Sequence, residues 1–153
     1  MIMKRFMIIA VLFLSTAGVA MATISRLNDD DKHITFAELP AKAQSFIKAH
    51  FANSEVSYAT MDRDFNSTDY EVVLSCGTKI EFDGDGEWKE VDCRRQAVSS
   101  DIVPKELQSY VDSNYPTAKI CDIQRDQRGW DIQLTSGLEL EFDKSFRLVG
   151  IDD

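Results

Sequence analysis

Two stretches of the chain bring apolar residues round every third or fourth position. Ala43, Phe46, Ile47 and His50 fall at i, i+3, i+4 and i+7, and Leu107, Tyr110, Val111 and Asn114 do the same. That spacing is one face of a helix. Each stretch follows a proline, in Leu39-Pro40 and Val103-Pro104, and proline suits a first helical turn because its missing N–H has no partner there anyway. Pro116 stops the second helix. Both helices are about three turns long, too short to persist without a sheet to pack on.

Elsewhere the period is two. Tyr70, Val72 and Leu74 alternate with Glu71, Val73 and Ser75; Trp130, Ile132 and Leu134 alternate with Asp131, Gln133 and Thr135. Ile80 and Phe82 alternate with Lys79, Glu81 and Asp83, and Leu140 and Phe142 with Glu139, Glu141 and Asp143. Such alternation predicts strands with one wet face. Further strands are expected at Trp88 to Val91 and Leu148 to Ile151, and less regular ones at Val56 to Met61 and Ile120 to Gln124. Cys76-Gly77 and Ser136-Gly137 are turn signals between strands.

One pattern therefore occurs twice. Gln44-Ser45-Phe46-Ile47 matches Gln108-Ser109-Tyr110-Val111, and Gly77 to Asp83 matches Gly137 to Asp143. The second copy is four residues shorter between its helix and that strand, where the first carries the turn-like Phe65 to Asp69. Loops tolerate such insertions. The expected fold is α+β: two tandem helix-plus-four-strand antiparallel repeats, about 34–98 and 99–153, forming one sheet with both helices on one side.

The segment before this domain reads differently. Lys4 and Arg5 precede an apolar run from Phe6 to Leu14, and Ala20-Met21-Ala22 places small residues where a signal peptidase reads. Residues 1–22 are expected to be a signal peptide cleaved after Ala22, with the product in the periplasm or secreted. Its apolar stretch is short for a membrane span, so no stable membrane insertion is expected after cleavage. Residues 23–33, with Asp29-Asp30-Asp31, read as a flexible acidic tail.

Charge narrows the function. The 153 residues carry 26 acids against 17 bases, a net −9. Cleavage removes two of those bases and no acid, leaving −11. Nucleic-acid binding needs a basic surface, so that class is excluded. The wet strand faces carry Glu71, Glu81, Asp131, Glu139 and Glu141, which alternation alone turns outward. Trp88 falls out of phase with Glu87, Lys89 and Val91, and Tyr58 lies on a face the pattern does not fix; both are candidate partner-binding aromatics on the open face, the alternative being that they pack under a helix. Exposed aromatics there would anchor a partner.

No catalytic residues are assigned. His33 and His50 have no hydroxyl or thiol partner in a nucleophile motif. No metal ligands or cofactor are assigned either, since the spacing of the cysteines fits no common zinc pattern. Asp83-Gly84-Asp85-Gly86-Glu87 resembles a piece of a calcium loop but lacks the full set of acids, and reads first as a hairpin turn. Export makes Cys76, Cys93 and Cys121 a pair plus one. If Asp83 faces Gly86, Cys76 falls opposite Cys93, the expected disulfide; a Cys93–Cys121 linkage would contradict that count.

The two Pro-led helices, the repeated G-x-x-[IL]-E-F-D strand and Gly86-Glu87-Trp88-Lys89-Glu90-Val91-Asp92-Cys93 resemble the PepSY-like, β-lactamase-inhibitor-like proteins of Gram-negative envelopes. The resemblance spans about Ile34 to Asp152. It implies a continuous curved sheet with helices on one side, and a non-enzymatic envelope protein. It brings no functional residues with it, and fold does not give function. The expected function is an exported, non-catalytic module that engages an envelope protein or peptide through its open sheet face, in an inhibitory role or otherwise. The alternative is calcium or small-ligand binding by the acidic face and the Asp83 to Glu87 turn.

Overall fold

The period-two segments become one antiparallel sheet in which every strand pairs with the next in sequence. The computed structural model describes residues 32–153. The strands are β1 (Lys32–Ile34), β2 (Val56–Arg63), β3 (Thr68–Leu74), β4 (Lys79–Phe82), β5 (Trp88–Asp92), β6 (Ile120–Arg125), β7 (Gly129–Leu134), β8 (Glu139–Asp143) and β9 (Leu148–Asp152). Helix α1 (Ala41–His50) lies between β1 and β2, and α2 (Lys105–Asn114) between β5 and β6. The order after β1 is thus a helix and four strands, twice.

Both helices pack on one face. Ala43 and Ile47 of α1 and Leu107 and Val111 of α2 join Val72, Leu74, Ile80, Phe82, Val91, Ile123, Ile132, Leu134 and Leu140 in one apolar core. Phe46 meets Phe82 edge-on at 5.8 Å, and Tyr110 meets Phe142 likewise at 5.1 Å. Burying these faces drives the short helices to form, since their own hydrogen bonds would not hold them in water. Pro40 and Pro104 stand one residue before each helix, in extended backbone.

The two halves use the same hairpin. The Asp83 N–H donates to the Glu87 carbonyl at 2.9 Å and Gly86 N–H to the Asp83 carbonyl. Asp143 pairs with Arg147, and Phe146 with Asp143, in the same way. Both Asp side chains cap their turns, accepting from the backbone two and four residues on. This is the short-range turn chemistry of an Asx residue.

Three expectations need correction. Lys32 and His33, expected to belong to the tail, pair with Met61 and Thr60 in β1; the expected signal peptide and residues 23–31 lie outside the described residues. Second, Asp83 pairs with Glu87 rather than Gly86, and β4 and β5 then run Phe82↔Trp88, Glu81↔Glu90, Ile80↔Val91, Lys79↔Asp92. The turn closing at Glu87 shifts the pairing by one residue and a bulge at Lys89 by a second. Thr78, not Cys76, thereby reaches Cys93. Third, the same bulge moves Trp88 to the opposite face: it lies on the helix side, stacked on Phe46 at 6.1 Å and tilted against Trp130 at 6.1 Å. Trp88 is therefore not an anchor on the open face.

Candidate functional site: a concave acidic face

The face without helices collects the other half of each alternation. Glu71 comes from β3, Lys79 and Glu81 from β4, and Glu90 and Asp92 from β5. Asp122 and Gln124 come from β6, Asp131 and Gln133 from β7, and Glu139 and Glu141 from β8. The twist of the sheet curls them round a groove of about 790 Å³. Eight carboxylates line it against a single lysine.

Lys79 holds the middle of the groove. Its Nζ lies 2.9 Å from Glu81 and 3.2 Å from Glu90. Burial disfavours its charge, but the hydrogen bond to Glu81 and the charges of Glu90 and Glu81 outweigh burial and hold it protonated well above the usual lysine range.

Beyond Lys79 three acids converge. Glu90, Asp92 and Asp122 each bring a carboxylate oxygen within 4.8 Å of the others. Asp92 and Asp122 are cross-strand partners, and Glu90 stands two residues before Asp92 on the same side of β5. One Asp122 oxygen, Oδ1, is buried with no hydrogen-bond partner. Burial first, then the charges of Glu90 and Asp92, push the Asp122 carboxyl up to about 8. Glu90 is raised too, by burial and then by Glu81, against the pull of Lys79. Such a site favours any cation that can neutralise it, a proton included.

All five acids expected on the wet face line this groove: Glu71, Glu81, Asp131, Glu139 and Glu141. Tyr58 stands at its rim, 45% exposed, its hydroxyl donating to Glu71 at 3.4 Å and its ring edge-on to His33. The sequence reading missed Glu90, Asp92 and Asp122. Their signal was present in the alternation with Val91 and Ile123, but irregular spacing around Lys89 and Cys121 obscured it.

The Asp83 to Glu87 turn is separate from the groove. The Asp83 carboxylate is taken up by its own turn. Glu87 pairs with Lys42 of α1 at 2.7 Å and with Arg125 at 3.4 Å, and Gly86 lies against Pro40 and Ala43. The acidic face and this turn therefore do not form one site. The cysteines are free thiols: Cys76 exposed, Cys93 and Cys121 buried.

Among the described residues no helix is long and apolar enough to cross a membrane. Residues 68–150 match the family described as "Putative beta-lactamase-inhibitor-like, PepSY-like". No curated protein matches the chain. Three solved structures resemble it over nearly their whole length. A "putative calcium-regulated periplasmic protein" from Bacteroides thetaiotaomicron is 45% identical, with a TM-score of 0.79, and the alignment covers 82% of this chain and 98% of that one. A "putative periplasmic protein" from Bacteroides vulgatus is 41% identical, TM-score 0.79, covering 82% and 99%. A second Bacteroides vulgatus protein, described as periplasmic and of unknown function, is 33% identical, TM-score 0.77, covering 80% and 99%. From the matched segment and these full-length likenesses, the chain belongs to the PepSY-like, β-lactamase-inhibitor-like family.

Proposed function

We propose that the protein is an exported, non-catalytic binding module that takes a basic segment of an envelope protein or peptide in its acidic groove. The observation that carries this is the eight-to-one excess of carboxylates over lysine on one concave face. A single pair of opposite charges at 4 Å is worth about 1 kcal/mol in water and about 4 kcal/mol near a protein surface. Several such pairs steer a cationic partner and set its register. The groove's volume suits a run of side chains rather than one ion, and Tyr58 supplies an aromatic at the rim. Export is supported by the Lys4 to Ala22 pattern and by the periplasmic descriptions of the three related proteins. Tandem duplication is supported by the twice-used order of helix and four strands and by the matched Asp83 and Asp143 turns.

Calorimetric titration with a lysine-rich peptide tests the reading. Binding that weakens with salt, and weakens again in Glu81→Gln/Glu139→Gln, is expected. Equal affinity for an acidic peptide, or no change in the double variant, would sink it.

A second reading is calcium binding at Glu90, Asp92 and Asp122. It is favoured by the convergence of three carboxylates around a buried oxygen without a partner, and by the description of the 45% identical protein as calcium-regulated. Calcium takes six to eight oxygens, so waters would complete the shell and affinity would be modest. No heat with millimolar calcium, or the same heat in Asp122→Asn, ends this reading.

A further inference from the structure

We propose that the three cysteines form a thiol–disulfide relay, in which exposed Cys76 takes the oxidising disulfide and the bridge passes through Cys93 to a final Cys93–Cys121 bond. The inference does not depend on what the groove binds.

The backbone places the final pair. Asp92 and Asp122 are partners across β5 and β6, and one residue further on the Cys93 N–H donates to the Cys121 carbonyl at 2.8 Å. Cys93 thus stands directly opposite Cys121. Opposed residues in a hydrogen-bonded antiparallel pair have Cα atoms about 5.5 Å apart, inside the span of about 4.4–6.8 Å that a disulfide bridges. Both residues are buried.

Cys76 is linked to this pair through one hydroxyl. Its thiol donates to Thr78 Oγ1 at 3.3 Å, and that hydroxyl donates on to Cys93 Sγ at 3.7 Å, so the two sulfurs lie no more than 7.0 Å apart. Cys76 sits in the turn between β3 and β4, whose closing bond runs from the Gly77 N–H to the Leu74 carbonyl. A turn end can move where a strand centre cannot, so Cys76 can close on Cys93 by displacing the Thr78 hydroxyl.

The thiols differ in exposure in the order the relay needs, Cys76 exposed and the other two buried. Burial works to raise Cys76, but hydrogen bonds with Ser54 and Thr78 outweigh it and hold it below its ordinary value. Cys93 and Cys121 are buried, so neither meets the oxidant first. The exposed thiolate attacks first, and the bond settles on the two buried sulfurs, which the strand pairing already holds opposite each other and away from solvent thiols.

The chemistry balances with a disulfide RS–SR as oxidant. The Cys76 thiolate attacks one sulfur and expels RS⁻. The Cys93 thiolate attacks Cys76 Sγ and expels the second RS⁻. The Cys121 thiolate attacks Cys93 Sγ and expels the Cys76 thiolate. Cys93 and Cys121 each lose a hydrogen, RS–SR is reduced to two RSH, and Cys76 ends as it began.

The test is the reduced full chain exposed to oxidised glutathione, quenched by alkylation over time and peptide-mapped. The parent is expected to finish with Cys93 joined to Cys121 and Cys76 alkylated. Cys121→Ser is expected to stop at Cys76–Cys93, and Cys76→Ser to reach the parent's end product about tenfold more slowly, because the exposed thiolate is gone. A parent that finishes as Cys76–Cys93 or with three free thiols overturns the proposal, as does a Cys76→Ser that reacts at the parent rate. The parent map decides the end product even if Cys121→Ser fails to fold.

Discussion

Asp92 and Asp122 face each other in register across β5 and β6, on the concave side of the sheet, with Glu90 beside them and Lys79 opposite Asp92 on β4. The structure tolerates this because Asp122 keeps its proton: burial, then Glu90 and Asp92, push its carboxyl up to about 8. The unfolded chain releases that proton near pH 3.9. Between these limits the folded state binds more protons than the unfolded one, so stability falls as pH rises from about 4 to about 8. Asp122→Asn is expected to flatten this slope and to be about 2 kcal/mol more stable than the parent above pH 8, a buried charge being replaced by a neutral isostere. Urea unfolding across that range is the measurement; an unchanged slope in the variant removes Asp122 as its source.

The hairpin turns set a second expectation. Gly86 has φ +81°, and a Cβ there would lie 2.7 Å from Pro40 Cβ and 3.0 Å from Ala43 N. Gly86→Ala is expected to cost about 2 kcal/mol, from backbone strain and displacement of α1. Phe146 occupies the same turn position in the second half, also left-handed at φ 59°, with its ring stacked on Trp130 at 5.7 Å. Phe146→Gly relieves the backbone and removes the stack, so a net change within about 1 kcal/mol is expected. Equal costs for both substitutions would show that the approach of α1 is not the deciding term.

Phe82 has no exposed surface and its ring meets Phe46 of α1. Phe82→Ala is expected to cost about 3–5 kcal/mol, because burial is lost and a cavity left between sheet and helix. Phe65, fully exposed at the tip of the β2–β3 hairpin, provides the contrast: Phe65→Ser is expected to change stability by no more than about 0.5 kcal/mol. Denaturant midpoints of the two variants read this directly.

Arg125 joins the strands where the two halves meet. Its guanidinium lies over the Trp88 ring at 4.2 Å, its Nε donates to the Trp88 carbonyl at 2.7 Å, and Nη2 reaches Glu87 at 3.4 Å. Lysine keeps the charge but cannot stack flat and donate sideways together. Arg125→Lys is expected to cost about 1 kcal/mol and to shift Trp88 fluorescence; a variant with parent emission and midpoint would count against the stacked contact.

The sequence by itself determined the helices, the strands after β1 and, Trp88 apart, which strand residues turn toward the core, because periods of 3.6 and 2 are properties of local backbone geometry. It therefore placed Glu71, Glu81, Asp131, Glu139 and Glu141 on one face before any strand was paired. Only the tertiary structure decided what depends on pairing. One bulge at Lys89 sent Trp88 to the helix side, since a single inserted residue inverts the side chains beyond it; with the turn closing one residue later than expected, it also moved Cys93 from Cys76 to Thr78. Pairing β5 with β6 across the whole of α2 brought Asp92 to Asp122 and Cys93 to Cys121. Those are contacts between segments some thirty residues apart, set by how the two halves join and written in no local pattern.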